Sequence, residues 1–201
     1  MIRFFDFVFS VLGIVFLSPL FVIVYIMIII ESKGGGFYTQ ERVGLNGVDF
    51  KLFKFRSMAV GSDKEGLITI GGNDARITKT GLFIRRFKID ELPQLFNVLI
   101  GDMSLVGPRP EVRKYVDLYT EEQRRVLNIK PGITDYASIE YADENEILGT
   151  ASDPNEMYIQ EIMPAKIKLN IKYIENRSLK EYFNIIFLTF SKIVSNKINK
   201  E

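Results

Sequence analysis

Residues 7–30 read FVFSVLGIVFLSPLFVIVYIMIII, 24 positions without one charged side chain. As a straight helix this run would be about 36 Å long, against roughly 30 Å of bilayer hydrocarbon. A cleaved signal peptide is disfavoured, because the run exceeds the usual apolar core of such peptides and Glu31-Ser32-Lys33 makes a poor cleavage site. Two readings follow. One is a single spanning anchor. The other starts from Ser18-Pro19 in mid-run: proline removes a backbone hydrogen bond and kinks a helix, and the Ser18 hydroxyl can bond the freed carbonyl. Each half would then be about 12 residues, or ~18 Å, too short to span, so a broken helix could enter and leave by one face. Arg3 with the amino terminus on one side and Lys33 on the other are too even to orient the segment.

Outside this run the composition is restrictive. Of 201 residues none is Cys, His or Trp. That excludes a disulfide framework, thiolate or Ser-His-Asp chemistry, and Cys- or His-ligated metals. Acid–base or nucleophilic work falls to Asp, Glu, Lys, Tyr or a hydroxyl, and any metal must be a hard, oxygen-seeking ion such as Mg2+. The net charge of +1 hides an asymmetry: residues 135–161 hold eight acids and no base, and 166–201 hold eight bases and three acids. No nucleic-acid-binding motif accompanies the basic end.

Gly34-Gly35-Gly36 reads as a flexible joint, and residues 37–44 as a short strand into a turn. From Phe50 to Met58 polarity alternates, with Phe53 and Phe55 on one face and Lys54 and Arg56 on the other. The two cations are a solvated strand face or an anion site. Residues 61–76, rich in Gly and charge, read as a mobile loop. A helix is expected from Thr80 to Lys88, with Leu82, Phe83 and Phe87 inward and Arg85, Arg86 and Lys88 forming a basic cluster. Asp90-Glu91-Leu92-Pro93-Gln94 has the grammar of a helix start, with Asp90 able to cap and proline tolerated in the first turn. Leu92, Leu95, Phe96 and Leu99 make the apolar stripe, and Gly101 ends the helix. Pro108 and Pro110 hold the backbone around Arg109 nearly rigid, which aims its guanidinium. Plain helix capping would explain Asp90-Glu91 in isolation. Carboxylates, Arg and Lys without His are also the parts for Mg2+-assisted phosphoryl transfer.

These pieces occur in a recognisable order. Arg3-x-Phe5-Asp6, Ser18-Pro19, Gln40-Glu41-Arg42-x-Gly44, Phe50 through Met58, Asp90 through Leu99, Gly101 through Pro110 and Pro131-Gly132-Ile133-Thr134 together resemble the bacterial sugar transferase family, the monotopic phosphoglycosyl transferases. The chain looks like the short form, with no further membrane helices before the first. The resemblance implies transfer of a sugar-1-phosphate from a UDP-sugar to undecaprenyl phosphate with release of UMP, initiating lipid-linked glycan synthesis. It implies Asp90 as the nucleophile of a covalent phosphosugar–aspartate, Glu91 as a Mg2+ ligand, and Arg109 with Lys54, Arg56, Arg85 and Arg86 on phosphate oxygens. It also implies a re-entrant helix broken at Ser18-Pro19, with the catalytic domain on the cytoplasmic face of the bacterial inner membrane. An N-acetylated amino sugar is the expected substrate sugar; a homo-oligomer is left open.

The expected architecture is α/β of the α+β kind: a re-entrant helix and Gly linker over 1–36, a small helix-rich catalytic domain with a short sheet over 37–178, and a basic amphipathic helix over 179–201. On that last helix Leu179, Phe183, Ile186, Phe190, Ile193 and Val194 share a face with Lys180, Lys192 and Lys197 around it, suited either to a bilayer surface or to packing on the domain. One stretch departs from the family pattern: after Thr134 many members continue Gly-Trp-Ala-Gln-Val-Asn-Gly-Arg, and this chain reads Asp135-Tyr136-Ala137-Ser138-Ile139-Glu140. Its acids read as a solvated loop. The competing functional class is a membrane-anchored scaffold without chemistry; a spanning transferase without a covalent step is a third.

Overall fold

A computed structural model describes residues 1–62 and 74–198 of the chain. The first helix, α1, runs from Ile2 to Glu31 with Pro19 inside it. Pro19 has no N–H to offer Val15 O one turn back, and the Ser18 hydroxyl donates to that carbonyl at 2.8 Å instead. By length and composition α1 could cross a membrane, with a mean hydropathy of 2.8. Only one stripe of it is covered: Phe21, Val24 and Ile28 pack against Phe55 and Ile84. Leu12, Val15, Phe16, Val22 and Ile30 stay exposed.

Both ends of α1 are held by the same body. Arg3 donates to Val98 O and, at 2.8 Å, to Leu99 O. Glu31 accepts from the backbone N–H groups of Lys79 and Thr80 at 2.7 and 2.8 Å. Two of the three glycines after α1, Gly34 and Gly36, sit in close packing. Gly34 sits at φ +114°, and a Cβ on Gly36 would lie 2.4 Å from the Tyr25 ring.

Strands β1 (Phe37–Val43) and β2 (Asp49–Phe55) form an antiparallel hairpin that pairs Tyr38 with Lys54 and Arg42 with Phe50. Leu52 and Phe55 turn into the core. The loop expected at 61–76 falls largely, at 63–73, outside the described residues.

Helix α2 (Lys79–Arg86) is capped by the Thr78 hydroxyl, which accepts from Gly81 N at 2.9 Å. Its inward residues are Thr80, Gly81 and Ile84, not the expected aromatics. Leu82, Phe83 and Phe87 are 47, 48 and 39% exposed. The helix docks by its smallest side, because a Cβ on Gly81 would fall 1.9 Å from Ser57 O.

The expected helix at Asp90 begins four residues later. Lys88 adopts the left-handed conformation (φ 56°), Ile89–Glu91 form one 3-10 turn, and α3 runs from Gln94 to Ile100. Gly101, at φ +103°, ends α3 as expected. Strands β3 (Ser104–Val106) and β4 (Gly132–Thr134) pair in parallel, Ser104 opposite Gly132 and Val106 opposite Thr134. Gly107 and Gly132 touch backbone to backbone: a Cβ on Gly132 would lie 2.1 Å from Gly107 N.

The remaining helices wrap a core of Val43, Val112, Tyr115, Val116, Leu148, Tyr158 and Ile162. They are α4 (Arg113–Val116), α5 (Tyr136–Glu140), α6 (Glu144–Gly149), α7 (Pro154–Met157), a π-helical turn over Tyr158–Ile162, and α8 (Met163–Glu175). The acidic stretch is therefore helical rather than a solvated loop. Asp135 caps α5 and is fully buried, and Lys166 holds Glu144 at 2.7 Å.

The last helix, α9 (Leu179–Ile198), buries Tyr182 and Ile185. Phe183 meets the rings of Phe5 and Phe9 of α1. Phe187, Phe190 and Ile193 face outward at 69, 65 and 49% exposure. The side chains of Val194 and Lys197, assigned to its amphipathic pattern, lie outside the described residues. The architecture is mixed and helix-rich with short sheets, as expected.

Candidate active site

Glu91 is the hub of the site. Its Oε1 accepts from Lys54 Nζ at 3.0 Å and from the Arg109 guanidinium, whose other nitrogen donates to Oε2 at 3.1 Å. The 3-10 turn supplies the carboxylate, the inner half of β2 the lysine, and the Pro108-Arg109-Pro110 loop the guanidinium. Burial alone would raise the Glu91 pKa. The charges of Arg109 and Lys54 outweigh it and hold the carboxyl well below its ordinary value. Glu91 in turn raises the Arg109 pKa. Burial lowers that of Lys54, with Glu91 opposing.

Asp90 sits beside this paired cluster without sharing it. It is 8% exposed, and its Oδ1 has no hydrogen-bond partner among the described residues. Burial first, and then the neighbouring Glu91 charge, raise its pKa to about 6. A capping Asp would bind the free N–H groups of a helix start; Asp90 does not, since α3 opens at Gln94 without a side-chain cap. A desolvated carboxylate oxygen without a partner, two residues after a left-handed lysine, costs stability and makes Asp90 a candidate for chemistry.

Arg42 closes the cluster from β1. Gln40 Oε1 accepts from its Nε and NH2 at 3.2 and 2.7 Å, and Pro110 O from its NH1 at 3.1 Å. Glu111 lies 3.7 Å from NH1. Arg42, Lys54 and Arg109, with Leu52, Gln94 and Pro110, line a small cavity. Such a concave set of cationic donors suits a phosphoanhydride.

Lys54, Asp90, Glu91 and Arg109 of the expected site therefore stand together. Arg85 acts on Asp90 through its charge. Arg86 lies over the Phe87 ring, 5.8 Å from its centroid. Arg56 does not join them: its guanidinium donates to the carbonyls of Ser32, Lys33 and Gly34, so it clasps the linker after α1. Pro108 and Pro110 frame Arg109, as expected of a rigid turn, and their carbonyls accept from Gly132 and Arg42. Ser18 and Pro19 lie in α1, apart from the cluster.

Sequence reasoning did not single out Arg42 or Asp135 as site residues. Gln40 and Arg42, two apart on a strand, share a face, which was the available signal for the first. No local pattern reports the second.

Among the described residues no group of three or more carboxylates could cage a metal by itself. The donors instead suit an ion that takes most of its oxygens from a substrate. Asp90 Oδ1 is free, and Glu91, with three of roughly four lone-pair positions in use, keeps one on Oε2.

The family model described as bacterial sugar transferase matches residues 1–196. The chain is 37% identical over 195 residues to the UDP-N-acetylgalactosamine-undecaprenyl-phosphate N-acetylgalactosaminephosphotransferase of Aeromonas hydrophila, covering 94% of this chain and 43% of that protein. It is 35% identical over 196 residues to the UDP-glucose:undecaprenyl-phosphate glucose-1-phosphate transferase of Klebsiella pneumoniae, covering 96% and 40%. It is 39% identical over 175 residues to the sugar transferase EpsL of Bacillus subtilis, covering 86% and 78%. The chain thus spans less than half the length of the first two.

Proposed function

Because the chain belongs to the bacterial sugar transferase family, we propose that it moves a sugar-1-phosphate from a UDP-sugar to undecaprenyl phosphate and releases UMP. The observation that carries this reading is the buried Asp90 Oδ1, without a partner among the described residues, within electrostatic reach of Lys54, Arg85 and Lys88 and next in sequence to the Glu91 that holds Lys54 and Arg109. The cations bind the diphosphate and spread its charge, and Glu91 keeps two of them in place. Asp90 attacks the phosphorus attached to the sugar, and the bond from that phosphorus to the bridging oxygen breaks, so UMP leaves with the electron pair. A phosphate oxygen of the lipid then attacks the same phosphorus, and Asp90 leaves as a carboxylate. Glu91, with a lone pair left on Oε2, would hold Mg2+, which when bound neutralises diphosphate charge.

The tethering of α1 at both ends to one body supports a re-entrant rather than spanning course, with the break at Ser18-Pro19 and the body on the cytoplasmic face of the bacterial inner membrane. The outward Leu82, Phe83 and Phe87 of α2 and Phe187 and Phe190 of α9 support a surface that rests in the interface. An N-acetylated amino sugar is the proposed substrate sugar, in line with the name of the Aeromonas relative. The test is UMP release from a panel of UDP-sugars, UDP-glucose included, with undecaprenyl phosphate. Sustained, multiple-turnover release that needs both substrates and Mg2+ supports the reading; without lipid acceptor no more than one UMP per enzyme is expected. No release with any donor overturns it.

A further inference from the structure

We propose that Asp135 is a positioning residue that fixes Arg109 in the phosphate cradle. Asp135 directly follows β4, and its side chain is fully buried. Each of its oxygens has one backbone partner. Oδ1 accepts from Ser138 N at 2.6 Å and so caps α5; Oδ2 accepts from Arg109 N at 3.1 Å.

The reach across is set by strand pairing. Val106 stands opposite Thr134, and Gly107 N donates to Thr134 O at 3.0 Å. The residue after Thr134 therefore lies beside the Pro108-Arg109-Pro110 loop. That loop has few other ties of this kind. Neither proline has an N–H, so the Arg109 amide is the backbone donor available between them. Asp135 takes that donor, Gly132 N binds Pro108 O at 3.0 Å, and Arg42 binds Pro110 O at 3.1 Å. The peptide carrying Arg109 is thus held on three sides, and its guanidinium meets Glu91 and the cavity from a fixed base. A buried carboxylate facing two N–H groups also adds negative charge near Arg109, which favours the charged guanidinium.

The chemistry distinguishes this role from capping. Asn or Ser at position 135 can still accept from Ser138 N and cap α5. Asn would turn an NH2 towards the Arg109 amide, donor against donor, and Ser has no second oxygen to reach it. Both changes release Arg109 while keeping the cap.

This inference rests on the transferase reading, so the experiment has two arms on the full membrane-embedded chain. In the first, hydrogen exchange of the Arg109 amide is followed without substrate. Exchange should be slow in the native chain and at least about tenfold faster in Asp135→Asn and Asp135→Ser, with Ser138 still protected. An Arg109 amide that exchanges freely in the native chain, or is unchanged in both variants, overturns the proposal whatever the enzyme turns over.

In the second, UMP release is measured for Asp135→Ser, Arg109→Lys and the double variant. Asp135→Ser should lower kcat/KM by about tenfold or more, and add less than about threefold on top of Arg109→Lys. Losses that simply multiply would show that Asp135 acts elsewhere, and overturn it. A native chain that releases no UMP would sink the transferase reading, and the exchange of the Arg109 amide would then decide by itself whether Asp135 holds that loop.

Discussion

Tyr182 donates its hydroxyl to Asp6 Oδ1 at 2.9 Å, which ties α9 to the first turns of α1. The same oxygen accepts from Ser104 Oγ at 3.0 Å and Leu105 N at 2.9 Å, so one buried carboxylate joins both ends of the chain to β3. A charge placed near the start of an apolar helix is tolerated because three donors meet it. Tyr182→Phe should therefore destabilise the chain by about 1.5–3 kcal/mol, the worth of a hydrogen bond to a charged group. Thermal unfolding in nanodiscs reads this. An unchanged midpoint would mean that the helices are held by their apolar contacts alone.

Asp90 should trade stability for function. Its folded pKa, raised to about 6 from 3.8, makes the ionised form unfavourable in the folded chain. The penalty is present at and above pH 6 and fades as the pH falls towards the unfolded value. Asp90→Asn should then abolish turnover and raise stability at pH 7.5 by about 1–3 kcal/mol, with the gain vanishing near pH 4. A lower unfolding midpoint at pH 7.5 would contradict this.

The same shift sets the acid limb of the rate. Attack needs the carboxylate, so kcat/KM should fall about tenfold per pH unit below about 6. A flat profile down to pH 5 would detach the rate from Asp90.

Much of the fold is legible in local sequence. The Ser18 hydroxyl bond beside Pro19 and the stop at Gly101 are short-range signals with short-range causes, whereas the alternation read from Phe50 to Met58 holds only in part, since the core takes Leu52 with Phe55 rather than Phe53. Helix α2 reads inside out, because Leu82 and Phe83 look like core residues, whereas the helix docks through its small side, Thr80, Gly81 and Ile84. Arg56 shares a strand face with Lys54 in the alternation, but β2 ends at Phe55 and the chain turns, sending Arg56 to the carbonyls after α1. The contact from Asp135 to Arg109 depends on parallel pairing between distant strands, which leaves no trace in either neighbourhood.

Glu91→Gln tests the hub. It removes the anion from two half-buried cations, so it should destabilise the chain by about 1–3 kcal/mol as well as slow the reaction and raise the Mg2+ requirement. Unchanged stability with a raised metal requirement would assign Glu91 to the metal alone.

Pro19→Leu tests the course of α1. Restoring the missing backbone bond should straighten the helix and pull Arg3 from its seat on α3. A single cysteine at position 2 should label only from the cytoplasm in the native chain and partly from outside in the Leu variant. Outside labelling of the native chain would make Ser18-Pro19 a mere kink in a spanning anchor.

In the proposed reaction Asp90 takes the phosphosugar itself. This step is tested most directly by mixing the full chain with its UDP-sugar and Mg2+ in the absence of lipid acceptor, and weighing the protein. A burst of UMP stoichiometric with enzyme is expected, with a mass increase of one phosphosugar that maps to Asp90 and disappears in Asp90→Asn. UMP release only when undecaprenyl phosphate is present, with no adduct at any time, would contradict it.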